Sequence, residues 1–280
     1  MKIIIHGGFF SESSQSIETK TAKQNALSDI VKKSYEYLKS HTALQTVVYA
    51  VELLENDELF NAGIGSQIQS DGKIRMSASI MDGITTKFSG VINIEETKNP
   101  IRVAEKLFTY DDRVLGGSGA ITFARANGFE KFSTEIPQRR KEYEDKVASK
   151  GTGTVGCVAL DANGNIAAAT STGGKGFEMP GRISDSATTA GNYATNTCGV
   201  SCTGVGEDIV SAVVATKIVT RVTDGMLIDE AFEKTFAELK VIDGFAGAIA
   251  IDKFGNIYHQ DSHPKMVFAS FNGNDLEVFN

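Results

Sequence analysis

The chain has 280 residues, 41% hydrophobic and 22% charged, the proportions of an ordinary globular protein. Asp and Glu outnumber Lys and Arg by 35 to 28, and the net charge of −7 lacks the basic excess that nucleic acid or an anionic membrane surface requires. No uncharged apolar stretch reaches the roughly 18 residues of a membrane span, and Ile3-Ile4-Ile5 is too short an apolar run for a signal peptide.

Lys2 to Gly8 reads as a buried strand ending in a glycine turn. Ile17 to Ser40 carries an apolar stripe at helical spacing, and Ala43 to Leu54 is a second, more apolar helix. Asn56 to Gly65 is a loop. Asp71-Gly72 between Ile68 and Ile74 predicts a hairpin turn, with further strand through Gly90 to Ile94. Asn99-Pro100 opens a helix, with proline in the first turn, and Gly116 to Gly128 is another. Residues 129–153 are dense in charge and read as a solvated helix or linker.

Val155 to Leu160, the turn Asp161-Ala162-Asn163-Gly164, and Asn165 to Ser171 predict a hairpin. Gly206 to Val222 is one helix, with Glu207 and Asp208 in its first turn, where negative charge suits the helix dipole. Leu227 to Leu239 is another helix. A last hairpin runs from Ala248 to Asp252, turns at Lys253 to Asn256 and returns from Ile257. It echoes the hairpin at 156–161, which places the two in one sheet system. Helices before and after hairpins in both halves predict a four-layer packing in a single domain.

The cysteines (Cys157, Cys198, Cys202) are an odd count without framework spacing, which fits a reducing compartment, so a cytoplasmic protein is expected. The four histidines are scattered, and no zinc-ligand spacing is present. Glycine reaches 28 against 4 prolines, and many of the glycines stand beside Thr, Ser or Asn. Three such segments stand out: Gly153-Thr154-Val155-Gly156, Thr170-Ser171-Thr172-Gly173-Gly174, and Ser201-Cys202-Thr203-Gly204-Val205-Gly206. Closing the hairpin at Asp161 and Gly164 sets residue 154 opposite 171. Closing it at Ala162 and Asn165 sets 154 opposite 173. Either register brings Thr172 within one residue of facing Thr154.

A threonine hydroxyl needs a base, and no histidine is close in sequence. Its own α-amine, with a pKa of about 7.7–8.0, can serve once the preceding peptide bond is cut. Gly153 leaves that bond unshielded and follows the charged segment. Thr152 is a rival position, also preceded by glycine, but Val155 begins the strand directly after Thr154.

These segments, together with Pro180-Gly181-Arg182, Asp185-Ser186, Ile5-His6-Gly7-Gly8, Leu59 to Gly65 and Met81-Asp82-Gly83, resemble the plant-type asparaginase / isoaspartyl peptidase family. The resemblance runs in order over nearly the whole chain. It implies an α+β fold, the four-layer αββα sandwich of the N-terminal nucleophile hydrolases. It also implies a precursor cut between Gly153 and Thr154 into an α chain, residues 1–153, and a β chain, residues 154–280. Thr154 then resembles the nucleophile and Thr172 its hydroxyl partner. Thr203 and Gly204 resemble the oxyanion hole, and Asn61 an active-site neighbour. Arg182 resembles the grip on a substrate α-carboxylate and Asp185 the acceptor for its α-ammonium, with Gly206 nearby.

The resemblance further implies a structural sodium ion held by backbone carbonyls in the loop of Leu54, Glu55, Asp57, Phe60, Ala62 and Ile64. No cofactor for the chemistry is implied. The implied activity is hydrolysis of L-asparagine and of β-aspartyl dipeptides through a β-aspartyl acyl-enzyme, by a homodimer of αβ units. Two other readings stay open: a glycosylasparaginase-like amidase, and an unprocessed protein that binds amino acids. The family commonly has small residues after the glycine pair, where this chain has Phe9 and Phe10. Two rings there are expected to alter access or self-cleavage.

Overall fold

Ile3, Ile4 and Ile5 are all fully buried, on both faces of the chain, as happens only in the middle of a covered sheet. They belong to β1 (Lys2–Phe9), which lies antiparallel between β5 (Val155–Leu160) and β11 (Met266–Phe271). The computed structural model describes residues 1–10, 16–145, 153–263 and 265–280. The larger of two sheets has eight strands. From one edge these are β12 (Leu276–Val278), β11, β1, β5, β6 (Ile166–Thr172), β2 (Met76–Asp82), β3 (Lys87–Ile94) and β4 (Val114–Gly116). The pairings are antiparallel except for the parallel pair β3 and β4.

The smaller sheet runs β10 (Ile257–Asp261), β9 (Ala246–Asp252), β8 (Cys198–Gly204), β7 (Asn192–Ala194). β5 and β6 of the larger sheet touch β8, and β1 touches β9. Strand alternation sorts the side chains of the smaller sheet. Ile249 and Ile251 pack with the core of the larger sheet, whereas Ala248 and Ala250 join Cys198, Val200 and Cys202 in a second core.

Helices pack on both sheets. α1 (Ile17–Leu38) packs on β1 and β11, and α2 (Ala43–Glu55) on β5 and β6. α3 (Pro100–Leu107) packs on β2 and β3, and α4 (Gly117–Ala126) on β3. α7 (Val214–Thr223) lies on β7 and β8, beside α8 (Ile228–Val241). α2 starts at a capping box in which Thr42 accepts from Gln45 N and Gln45 Oε1 accepts from Thr42 N. Such a cap contributes about 1 kcal/mol. The result is a mixed α/β fold with two sheets.

Several expectations need correcting. The Asp71-Gly72 turn closes no hairpin. Gln69 N donates to Lys73 O, and Asp71 is held by Arg75, so the turn is local and strand begins only at Met76. The helix expected at 206–222 is two: α6 (Gly206–Ala212) ends at Val213, whose left-handed φ of 50° breaks the run before α7. The echoing hairpins lie in different sheets, β5–β6 in the larger and β9–β10 in the smaller. The charged segment 129–153 does include a solvated helix, α5 (Pro137–Glu144), without a buried residue and held at its surface by Arg139 Nε donating to Gly65 O and by the Tyr143 ring stacked on Phe177. Residues 146–152 of that segment, with Thr152, are outside the described residues.

Candidate active site

The β5–β6 register settles between the two expected from sequence. Val155 faces Ser171 and Leu160 faces Ile166, so one step further Thr154 stands directly opposite Thr172. Alternation points Thr154, Gly156, Thr170 and Thr172 toward the smaller sheet, while Ser171 points the other way, to Glu55 under α2. Thr154 Oγ1 donates to Thr172 Oγ1 at 3.1 Å, and Gly174 N donates to the same Thr172 oxygen at 3.3 Å. Both threonines are buried. The nucleophile candidate is therefore a hydroxyl held by one hydroxyl neighbour.

A histidine does reach Thr154, from 148 residues away, but not its hydroxyl. His6 Nδ1 donates to the main-chain oxygen of Thr154 at 3.0 Å. Its Nε2 accepts from Ser201 Oγ at 2.9 Å, and Ser201 Oγ is 2.6 Å from Thr170 Oγ1. Complete burial lowers the imidazole pKa to about 3, so the ring is neutral and both nitrogens are committed. Gly156 is what lets the bond form: a Cβ there would lie 2.0 Å from Ser201 Oγ and 2.4 Å from His6 Nε2. Nothing local in sequence announces this contact.

Thr203 lies two residues beyond Ser201 on β8, on the same face and fully buried, with Gly204 at the strand end. Asp185 opens a 3-10 turn, Asp185–Ala187, whose cap is Ser184 Oγ accepting from Ser186 N. Its Oδ2 is buried without a hydrogen-bond partner among the described residues. Burial lifts its pKa to about 7, against the pull of Arg182.

Arg182 and Asp185 do not form the exposed ion pair that their spacing suggests. Arg182 instead pairs side-on with Glu207. Gly206 sits between the two charges: a Cβ on it would be 2.6 Å from Arg182 Nη2 and 3.0 Å from Asp185 Oδ1. A cationic nitrogen and a carboxyl oxygen thus meet at Gly206, two groups complementary to the two charges of a zwitterionic α-amino acid.

Asn61 links the turn after β6 to the start of β5. Its Nδ2 donates to Gly174 O at 2.6 Å, its carbonyl accepts from Gly173 N, and its Oδ1 accepts from Gln67 N. A Cβ on Gly153 would lie 2.5 Å from Asn61 Cβ, so the two residues are in close contact. In the loop before it, the carbonyls of Leu54, Glu55 and Asp57 accept from Asp57 N, Ile64 N and Phe60 N. Those of Phe60, Ala62 and Ile64 meet no main-chain donor among the described residues. Phe60 and Ala62 are buried, so their carbonyls suit a hard cation that takes neutral oxygens. Asp57 turns its Oδ1 to Leu59 N.

The Glu55 side chain, unlike its carbonyl, was not foreseen. Burial pushes its pKa up to about 8, opposed by donors from Ser171 Oγ, Asn99 Nδ2 and Ile101 N. It ties α2, the start of α3 and β6 together. Phe9 is a core residue: its ring packs 4.5 Å from Phe245 and against Gly247, the β9 partner of Thr203. Phe10 lies against Phe279.

A buried hydroxyl held by a second hydroxyl, with an arginine and a carboxyl group meeting at Gly206, is the kind of residue set used by hydrolases that attack through a side-chain oxygen. Residues 1–147 and 131–279 both match the family described as Asparaginase. An isoaspartyl peptidase/L-asparaginase of Synechocystis sp. is 44% identical, with 97% of this chain and 88% of that protein covered. An isoaspartyl peptidase of Escherichia coli is 38% identical over 91% of this chain and 88% of that protein. A plant-type L-asparaginase of Pyrococcus furiosus is 34% identical over 95% of each. The chain belongs to the asparaginase family, the plant-type / isoaspartyl peptidase branch anticipated from its motifs.

Proposed function

We propose that this protein hydrolyses the side-chain amide of L-asparagine and the isopeptide bond of β-aspartyl dipeptides, through Thr154. The supporting observation is the 3.1 Å contact of Thr154 Oγ1 with Thr172 Oγ1, and the meeting of Arg182 and Asp185 at Gly206 is in keeping with it. The chain is made as a precursor and cut between Gly153 and Thr154. Residues 1–153 become the α chain and 154–280 the β chain of one domain. The contacts between the two sheets and their outer helices support the four-layer αββα sandwich of the N-terminal nucleophile hydrolases.

In the mature enzyme the free α-amine of Thr154 takes the proton from its own hydroxyl. The oxygen attacks the β-carbonyl carbon, and the oxyanion is received by the Thr203 hydroxyl and Gly204 N–H. One such donor is worth roughly 3–4 kcal/mol to the transition state. The intermediate collapses with loss of ammonia, or of the peptide amine, which carries away the proton held by the α-amine. Water, deprotonated by the same amine, then cleaves the β-aspartyl ester and restores the hydroxyl. Arg182 holds the α-carboxylate, Asp185 the α-ammonium, and Thr172 fixes the attacking oxygen.

The carbonyls of Leu54, Glu55, Asp57, Phe60, Ala62 and Ile64 would hold a sodium ion, which would stiffen the loop carrying Asn61. The active unit is a dimer of αβ pairs, to be measured by light scattering. A cytoplasmic location accords with three free, buried cysteines, and no helix among the described residues is long and apolar enough to cross a membrane.

Intact mass spectrometry tests the whole scheme. Two chains that break at Gly153–Thr154, in a sample that releases ammonia from asparagine, are expected. An active sample holding only the uncut chain would overturn the mechanism, and a break before Thr152 would move the nucleophile. Comparing a β-aspartyl dipeptide with a glycosyl-asparagine separates this activity from a glycosylasparaginase. Aspartate binding without turnover would mark a binding protein.

A further inference from the structure

Arg182 is already engaged before any substrate is considered. Its Nε donates to Glu207 Oε1 at 3.0 Å and its Nη2 to Oε2 at 2.8 Å. This side-on fork takes the Nε–H and one Nη2–H of the five guanidinium hydrogens. The end-on edge, made by Nη1 and the second Nη2 hydrogen, has no partner among the described residues, and Nη2 lies 2.6 Å from where a Cβ on Gly206 would stand. Glu207 also receives Lys175 Nζ at 3.3 Å. Lys175 and Arg182 stand at the two ends of the loop that follows β6, so one carboxylate fastens both ends to α6. The carboxylate is held ionised, its pKa lowered to about 2 chiefly by the Arg182 hydrogen bonds.

Asp185 gives the arrangement its purpose. It is three residues from Arg182, its Oδ1 approaches Gly206, and its buried Oδ2 has no hydrogen-bond partner among the described residues. An arginine free to swing would settle on that carboxylate and cancel the two charges a zwitterion needs. A partner on the opposite side prevents this and holds the fork in place in advance, which lowers the ordering cost of binding.

We propose that Glu207 is a positioning residue for substrate recognition: it holds Arg182 side-on, keeps it off Asp185, and presents its end-on edge to the α-carboxylate. The inference rests on the reading of Arg182 as the carboxylate-binding group. The test is steady-state kinetics of processed Glu207→Gln and Arg182→Gln enzymes on L-asparagine and on its α-amide, which lacks the carboxylate. The Glu207→Gln enzyme is expected to raise KM for asparagine about tenfold, a typical worth for one charge-assisted contact, with kcat held within about twofold. Its preference for asparagine over the α-amide should fall by a similar factor, and Glu207→Asp should recover part of it.

A merely structural role would weaken both substrates alike and leave the preference unchanged, which overturns the proposal, as does a lowered KM for asparagine. Should Arg182→Gln leave the preference intact, the Arg182 reading itself is wrong. If Arg182→Gln abolishes the preference and Glu207→Gln does not, the positioning role alone fails.

Discussion

Replacing Gly156 by alanine tests the link between the two sheets behind the nucleophile. Gly156 pairs with His6 across β1 and β5, and the added methyl would occupy the path of the His6–Ser201 hydrogen bond. The contacts would be 2.0 Å to Ser201 Oγ and 2.4 Å to His6 Nε2, and the ring cannot retreat without leaving the Thr154 carbonyl. Overpacking a filled interior costs about 1–3 kcal/mol. Stranding a buried ring nitrogen adds about 1–3 kcal/mol. The expected loss is therefore about 2–6 kcal/mol, a large part of the stability of a typical domain. The assay is the denaturant midpoint at constant slope, beside kcat for asparagine.

Gly119→Ala is the control for that change, because nothing lies within 4 Å of its added methyl and alanine favours the helix. Removing Ser201 Oγ in a Gly156→Ala, Ser201→Ala double variant relieves the shorter contact only, so it should recover part of the stability. A Gly156→Ala protein as stable and as active as its parent would show that the His6 bridge does not hold Thr154.

Further outcomes follow from the same geometry. Asp185, with its pKa lifted to about 7, binds an ammonium only when ionised. KM for asparagine should rise as pH falls through that value, and binding below it should release a proton, detectable by calorimetry in buffers of different ionisation heat; a KM flat from pH 8 to 6 would contradict this. Thr172→Val removes the partner of the Thr154 hydroxyl at nearly constant volume, and kcat should drop by about tenfold or more, equivalent to about 1.4 kcal/mol. Gly204 has a φ of 140° and would place a Cβ 2.5 Å from Phe245 O, so Gly204→Ala should shift the oxyanion donor and lower kcat by about 10²-fold, with KM changed far less. Exchange of sodium for choline should speed amide hydrogen exchange over residues 54–65, and unchanged rates there would remove the ion from the loop.

Local pattern carried much of this fold. The Asp161–Gly164 turn located β5 and β6, and proline placed the start of α3. Register was missed by half a step for an identifiable reason. Asp161 Oδ1 accepts from both Asn163 N and Asn165 N, and Asp161 N donates to Asn165 O. The side chain thus stretches the turn to an odd length that neither two-residue closure allowed. Glu207 left a signal that pointed elsewhere. An acid in a first turn reads as a dipole partner, whereas its ion partner is Arg182, 25 residues earlier. The contacts of the His6 and Glu55 side chains left none, since their partners lie on other elements, 44 to 195 residues away.

The His6 contact also bears on why the chain should be cut at all. A histidine beside a threonine invites the role of general base, yet here it is excluded on three grounds. Its Nδ1 is spent on a carbonyl, its Nε2 accepts from Ser201, and burial keeps its basicity near pKa 3. Thr172, the group that does touch the nucleophile, is a hydroxyl and no stronger a base than Thr154 itself. Asp185 is engaged around Gly206 and is needed there as an anion for the substrate ammonium. Among the described residues that touch Thr154, none offers a base matched to neutral pH, which supports the proposed role of its own α-amine, and that amine does not exist while Gly153 remains attached. Cleavage is on this reasoning a chemical precondition for turnover, so the rate of appearance of the chain beginning at Thr154 should set the rate at which activity appears in freshly made protein.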